Sequence, residues 1–162
     1  MKVSIGPYNE DESEDFERQI DIHIDDYDVW GLDHTLSLII LPCLKELKEK
    51  KQGSPYVDME DVPEELRQKD EDSEKYPSIH DRWNWVMDQM IWSFENIINP
   101  QDDQFHTWDE DKEPLEFGEP DDNGLVEVIV NGDFDSEGCE KYTKKIQNGL
   151  NLFGKYFRNL WD

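Results

Sequence analysis

Charge in this chain is segregated along its length, and that segregation limits where a core can form. Of a formal net charge of −25, residues 1–30 contribute −8, residues 55–80 contribute −6 and residues 101–125 contribute −9. The intervening segments 31–54, 81–100 and 126–162 are nearly neutral, at +1, −2 and −1. An unpaired carboxylate is far costlier to bury than an aliphatic group, so the core has to come mainly from those three segments. They also carry most of the helical apolar pattern. The chain therefore reads as a near-neutral helical core that displays acidic connectors, about 9–17, 54–78 and 101–124.

Low apolar content does not make it a disordered acidic chain. Six Trp, seven Phe and six Tyr are too many aromatics for one, and 162 residues suffice to bury a core as a single domain over 1–162. The charge argues against direct contact with DNA, RNA or anionic lipid, all of which would be repelled. No apolar run reaches the length of a membrane span, and the amino end lacks the pattern of a secretion signal. A soluble, intracellular protein is expected. Cys43 and Cys139 fall within helical apolar patterns and read as buried thiols in a reducing compartment, with no zinc-like spacing.

Periodicity predicts the elements. Residues 2–8 read as a short strand closed at Gly6-Pro7, and Ile20, Ile22 and Ile24 alternate with polar residues as a half-buried strand antiparallel to it. Asp33 is placed to cap a helix that carries Leu36, Ile39, Ile40, Cys43, Leu44 and Leu47, kinked or broken at Pro42. Ile79, Trp83, Met87, Met90, Ile91, Phe94, Ile97 and Ile98 form the widest stripe, stopped by Asn99-Pro100, and mark the central helix. Residues 125–130 read as a third strand, followed by a turn at Asn131-Gly132. A last helix, about 136–161, has a seam of Cys139, Tyr142, Ile146, Gly149, Leu150, Phe153, Phe157 and Leu160. Close helix contact would account for Gly149 and Gly154 there. The predicted fold is α+β: three main helices packed with a small, mostly antiparallel sheet, and long acidic loops.

Several residue groups suggest chemistry. Asp25, Asp26, Asp28, Asp33 and His34 cluster around a strand-to-helix turn, and oxygen ligands at that density suit Mg²⁺ or Ca²⁺; caps and turns use the same residues without metal. Asp81, Asp88 and Glu95 repeat every seven residues beside Trp85 and Trp92, as a metal or acid–base site would require, yet the Glu-x-x-His pair of di-metal bundles is missing. Asp133 to Glu137 starts like a calcium loop, but Lys144 stands where the bidentate Glu belongs, so a turn feeding the last helix fits better. No nucleophile elbow, phosphate loop, dinucleotide fingerprint or zinc-protease motif occurs, and an enzyme has no positive support.

The acidic connectors have a plain reading as solvated linkers and a sharper one as a binding surface. Asp102, Asp103, Asp109, Glu110 and Asp111 surround Trp108 in the third connector, and Asp58, Glu60 and Asp61 stand in the second. Carboxylates held over a folded aromatic core would imitate a phosphate array and occupy the basic cleft of nucleic-acid machinery. That requires rigid acids, which Pro- and Gly-rich loops would not supply. Trp108 would then be a partner anchor, or else a plug that pins its loop to the core.

The blocks KVSIGPY (2–8), IDDYDVWGLDHTL (24–36), LIILPCLKELKEKKQGSPYVDMEDVPEEL (38–66), WNWVMDQMIWSFE (83–95), DQFHTW (103–108) and NGLNLFGKYFRNLWD (148–162) carry a resemblance. Together they resemble a family of small acidic proteins encoded by tailed bacteriophages. The resemblance implies a viral protein of the host bacterial cytoplasm, or a minor virion component. It carries no activity, cofactor or catalytic residue. The expected function is an acidic interaction module that binds a basic protein surface, as an inhibitor or DNA mimic. A cation-binding protein or metal-dependent enzyme is the alternative.

Overall fold

The structure is a computed structural model and describes residues 1–6, 19–67 and 78–161. The predicted connector at 9–17 and part of that at 54–78 lie outside the described residues, as does the end of the first predicted strand.

Among the described residues, four α-helices and six short strands follow the chain: β1 (Lys2–Ile5), β2 (Ile20–His23), α1 (Asp26–Trp30), α2 (Leu32–Lys50), α3 (Ile79–Ile98), β3 (His106–Trp108), β4 (Leu115–Phe117), β5 (Val128–Val130), β6 (Gly132–Phe134) and α4 (Ser136–Tyr156). The α+β class and the three long helices agree with the periodicity. The sheet does not. Its place is taken by three separate two-stranded antiparallel ladders, β1–β2, β3–β6 and β4–β5.

Helix α3 is the centre, as its wide stripe requires. Ser78 and Asp81 form a reciprocal cap: Ser78 Oγ accepts from the Asp81 amide at 3.2 Å, and the Asp81 carboxylate accepts from the Ser78 amide at 2.8 Å. Trp83, Val86, Met87, Met90 and Phe94 are buried on it, and α2 and α4 both pack against it. From α2 comes Leu44; from α4 come Leu152 and Tyr156, whose ring meets Trp83 edge-on at 5.7 Å. The α4 seam is thus rotated from the predicted one, with Leu152 and Tyr156 deepest.

The two glycines of α4 differ. A Cβ on Gly149 would lie 2.0 Å from Ser93 Oγ and 2.4 Å from the Gln89 carbonyl oxygen, so α3 and α4 approach as closely as they do because Gly149 has no side chain. A Cβ on Gly154 would meet nothing within 4 Å, and close contact does not explain that residue.

Pro42 neither breaks α2 nor ends it. Proline removes one donor, and the carbonyl it would have served belongs to Leu38; both residues are exposed, so the missing bond lies on the solvent side of the helix. Asp33 lies in the first turn of α2 rather than capping it, because α1 runs almost directly into α2 through Gly31. Cys43 is exposed and Cys139 half-buried, correcting the expectation of two buried thiols.

The described part of the second acidic connector is built into the core. Val57 and Val62 are buried, each contributing about 1.5–3 kcal/mol of burial. Two short 3-10 turns, Met59–Asp61 and Glu64–Leu66, hold the chain there. Among the described residues, no helix is long and apolar enough to cross a membrane.

Candidate interaction surface

The third connector, expected to be a long exposed loop, is instead one side of an antiparallel arm. Its strands β3 and β4 pair with β6 and β5 in the order that doubles the chain back on itself: His106 faces Phe134, Trp108 faces Gly132, Leu115 faces Val130 and Phe117 faces Val128. Between the two ladders the outgoing side carries a five-residue excursion, Asp109 to Glu113, while the returning side carries only Asn131. Asn131 bridges the step. Its carbonyl accepts from the Asp109 amide at 3.1 Å and its amide donates to the Pro114 carbonyl at 3.0 Å. Its side-chain Nδ2 donates to the Glu113 carbonyl at 2.9 Å and to Glu116 Oε1 at 2.7 Å. The turn expected at Asn131-Gly132 is therefore absent: Asn131 joins the two ladders and Gly132 opens β6.

At the tip, Asp121 organises the reversal. Its Oδ1 accepts from the Asn123 and Leu125 amides, both at 2.8 Å, and those bonds hold its carboxyl below the usual carboxylate range. Gly124 has φ +79°, a conformation that favours glycine. At the base, the Asp135 amide donates to the Phe105 carbonyl at 2.8 Å, and Phe105 is buried against Tyr142 of α4 with ring centroids 5.4 Å apart. The Tyr142 hydroxyl accepts from the Gln101 amide at 3.1 Å and donates to Asn96 of α3 at 3.0 Å. The arm is thus anchored to two helices at its root and paired along its length.

Residues 101–137 carry fourteen carboxylates and one lysine. Among the acids singled out in the sequence, Asp102 and Asp103 lie in the 3-10 turn at the root, and Asp109, Glu110 and Asp111 lie on the excursion; all five are exposed. Among the described residues, only Asp109 of the five meets a cation, Lys112 at 3.4 Å. Trp108 stacks on His106 at 5.2 Å with rings nearly parallel and is 42% exposed. A Cβ on Gly132, opposite, would meet the Thr107 carbonyl at 2.6 Å and the Trp108 ring at 3.0 Å. Trp108 therefore braces the arm while keeping one part of its ring in solvent.

Asp58 and Asp61 do not belong to the same surface. The Lys155 ammonium sits 2.7 Å from Asp58 and 2.6 Å from Asp61, and the Tyr156 hydroxyl donates to Asp61 at 2.5 Å while accepting from the Asp58 amide at 2.9 Å. Burial, with help from the Asp61 bond, pushes the Tyr156 hydroxyl up to about 12. Asp58 and Asp61 fasten the second connector to α4, whereas Glu60 is exposed.

The residues of the cation reading are dispersed among local bonds. Asp25 and Asp28 form the cap of α1, and Asp28 accepts from the Met1 ammonium at 2.6 Å, which together with the Asp25 amide holds its carboxyl low. Asp25 also meets His23 at 3.1 Å. Asp26, Asp33 and His34 are exposed. The α3 stripe is divided likewise: Asp81 caps the helix, Asp88 pairs with Lys48, and Glu95 pairs with Lys45 at 2.6 Å. Trp92 instead takes the Lys145 ammonium 3.8 Å over its ring. Among the described residues, no three His, Cys, Asp or Glu side chains come together as a metal site would need. Asp135, in the calcium-like segment, caps α4 by accepting from the Gly138 amide at 2.9 Å.

Of the arm's apolar residues, Val128 and Val130 fall in the strand expected over 125–130, whereas Leu115 and Phe117 were not singled out in the sequence. Leu115, Phe117, Val128 and Val130 stand on one face of the β4–β5 ladder and are 47%, 69%, 51% and 57% exposed. The signal was present in the alternation of Leu115-Glu116-Phe117 and of Val126-Glu127-Val128. Comparison with protein-family models, with curated proteins and with solved structures gave no match.

Proposed function

We propose that this is an acidic interaction protein, of the phage type its motifs resemble, that engages a basic surface of host or viral nucleic-acid machinery and acts there as an inhibitor or nucleic-acid mimic. The observation that supports this reading is the arm. Glu116 and Asp133 lie in its paired strands, the other acids lie on the excursion and turns those strands connect, and the whole is rooted at α3 and α4; held acids are what a mimic requires.

The charge density favours one form of mimicry. Ten carboxylates lie between residues 106 and 134. The returning strand over residues 125–134 spans about 30 Å at the rise of extended chain, giving roughly one carboxylate per 3 Å. Duplex DNA presents one charge per about 1.7 Å of axis and a single strand one per about 3.4 Å. The arm is too sparse for a duplex and close to a single strand, and its exposed Phe117 and Trp108 offer rings where a strand offers bases.

Competition tests this. Immobilised protein is loaded from infected-host lysate at low salt, then challenged with single-stranded or duplex oligonucleotide. Displacement of the bound proteins by single strands, and loss of binding near 1 M salt where the Debye length is about 3 Å, are expected. Retention of every bound protein under both challenges would refute the reading.

A further inference from the structure

The arm has a second property besides charge: its returning strand is an open edge. Hydrogen bonds at either end of each ladder fix which backbone groups point inward. In β4–β5 the Gly118 amide donates to the Glu127 carbonyl at 2.8 Å and the Asn131 amide to the Pro114 carbonyl at 3.0 Å. Antiparallel pairs alternate between bonded and non-bonded, so Leu115/Val130 and Phe117/Val128 are the non-bonded pairs, with amides and carbonyls aimed away from each other. In β3–β6 the Asp109 amide donates to the Asn131 carbonyl and the Asp135 amide to the Phe105 carbonyl, which makes Trp108/Gly132 and His106/Phe134 the non-bonded pairs.

The two ladders thus agree in phase along the returning strand. Val128, Val130, Gly132 and Phe134 all aim their backbone groups at the same side, across the step at Asn131, with no proline from Leu125 to Asp135. The opposite edge is blocked differently: Pro114 and Pro120 flank β4, and the Asp109–Glu113 excursion interrupts it. Both ladders have only two strands, so no described strand covers the open edge. A long, apolar edge of this kind is a template for an added strand.

We infer that the β5–β6 edge takes a strand from a partner whose side chains alternate apolar and basic, so that recognition is by backbone pairing as well as by charge. Side chains of the added strand alternate between the two faces. On one face they lie beside Val128, Val130 and Phe134; on the other they lie beside Glu127, Ile129, Asn131 and Asp133. The first face calls for apolar partners, and the second calls for Lys or Arg at its two acidic ends. A second copy of this chain is disfavoured in the register centred on Val130. Antiparallel pairing of two such edges about Val130 sets Glu127 opposite Asp133 twice, and like charges opposed across strands destabilise. This inference rests on the proposed binding of a basic surface and specifies the form of the bound segment.

Three short peptides separate the two claims: alternating valine and lysine, the same composition in two blocks, and lysine alone. Each is titrated into the ¹⁵N-labelled protein, with amide shifts and hydrogen exchange as readouts, and again into Val130→Pro, which deletes an outward amide while sparing the inward ladder. The alternating peptide is expected to bind about tenfold more tightly than the block peptide, to slow exchange at Val128, Val130 and Phe134, and to lose that advantage in Val130→Pro. Lysine alone binds both proteins equally. Should Val130→Pro fail to fold, Glu127→Lys paired with Asp133→Lys serves, and a reversed preference for alternating valine and glutamate is expected. Equal binding of the alternating and block peptides, or concentration-dependent self-association that protects the same amides, overturns the inference. Absence of lysine-peptide binding would instead sink the acidic-surface reading itself.

Discussion

The same substitution at two glycines of α4 should move stability in opposite directions. Replacing Gly by Ala in a helix interior gains about 0.8–1 kcal/mol of helix propensity wherever the new methyl has room. At Gly154 it has room, since nothing lies within 4 Å. At Gly149 the methyl would meet the Gln89 carbonyl at 2.4 Å and Ser93 Oγ at 2.0 Å. The serine hydroxyl can rotate, but the carbonyl is backbone of α3, so the two helices must separate or slide along a seam that buries Trp83, Met90 and Leu152. Overpacking of that kind costs about 1–3 kcal/mol and outweighs the propensity gain at the upper end. With about 2–4 °C per kcal/mol at this chain length, Gly154→Ala should raise Tm by about 2–4 °C and Gly149→Ala lower it by up to about 8 °C. Thermal denaturation followed by circular dichroism measures both. Ser93→Ala combined with Gly149→Ala should recover only part of the loss, because the Gln89 carbonyl remains. Equal stabilisation by both single changes would show that α3 and α4 do not meet at Gly149.

Tyr156→Phe removes the hydroxyl that joins Asp61 to the Asp58 amide, and urea denaturation should show a loss of about 1–3 kcal/mol. In alkaline titration followed by ultraviolet absorbance, one tyrosine should ionise near 12, above its ordinary 10.0, and its stabilisation is present below pH 10 and lost as the pH rises towards 12. A phenylalanine variant in which the late titration step persists would locate it elsewhere. Ser78→Ala should cost about 1 kcal/mol through the α3 cap. The Ser78 amide and hydroxyl hold the Asp81 carboxyl below its ordinary 3.8, so that contribution is present above pH 3.8 and fades as the pH falls through the lowered value. Acid unfolding of Ser78→Ala that matches the parent chain at every pH would contradict it.

The sequence showed the helices and a strand on the returning side of the arm and concealed the outgoing side, for a physical reason. A twenty-residue stripe such as Ile79–Ile98 repeats its apolar face over five turns, and no surrounding residue can disguise it. Gly149 was legible as a contact from the cost of glycine in a helix. Strands of three residues give one alternation each, and Leu115-Glu116-Phe117 sits among prolines and acids whose composition reads as loop. Its pairing with Val128–Val130 is set by a turn at Asp121–Leu125 and by Asn131, neither of which has a spacing visible in isolation. The acids misled in a different way. Asp58 and Asp61 have the same composition as the arm's carboxylates, yet Lys155 and Tyr156, about a hundred residues away, claim them. Only the fold of α4 against Val57 and Val62 brings those side chains together. Pro42 likewise predicted a kink or a break, and the break does not occur, because sequence does not reveal that its side of α2 faces water.

Amide hydrogen exchange of the free protein over residues 106–134 tests the central claim most directly. A paired arm with one open edge should exchange with a period of two: slow at Asp109, Gly118 and Asn131, whose amides donate across the ladders, and fast at Val128, Val130 and Phe134, which face outward. Uniformly fast exchange through the whole segment would return the third acidic stretch to a solvated loop and remove the basis for both the mimic and the open edge.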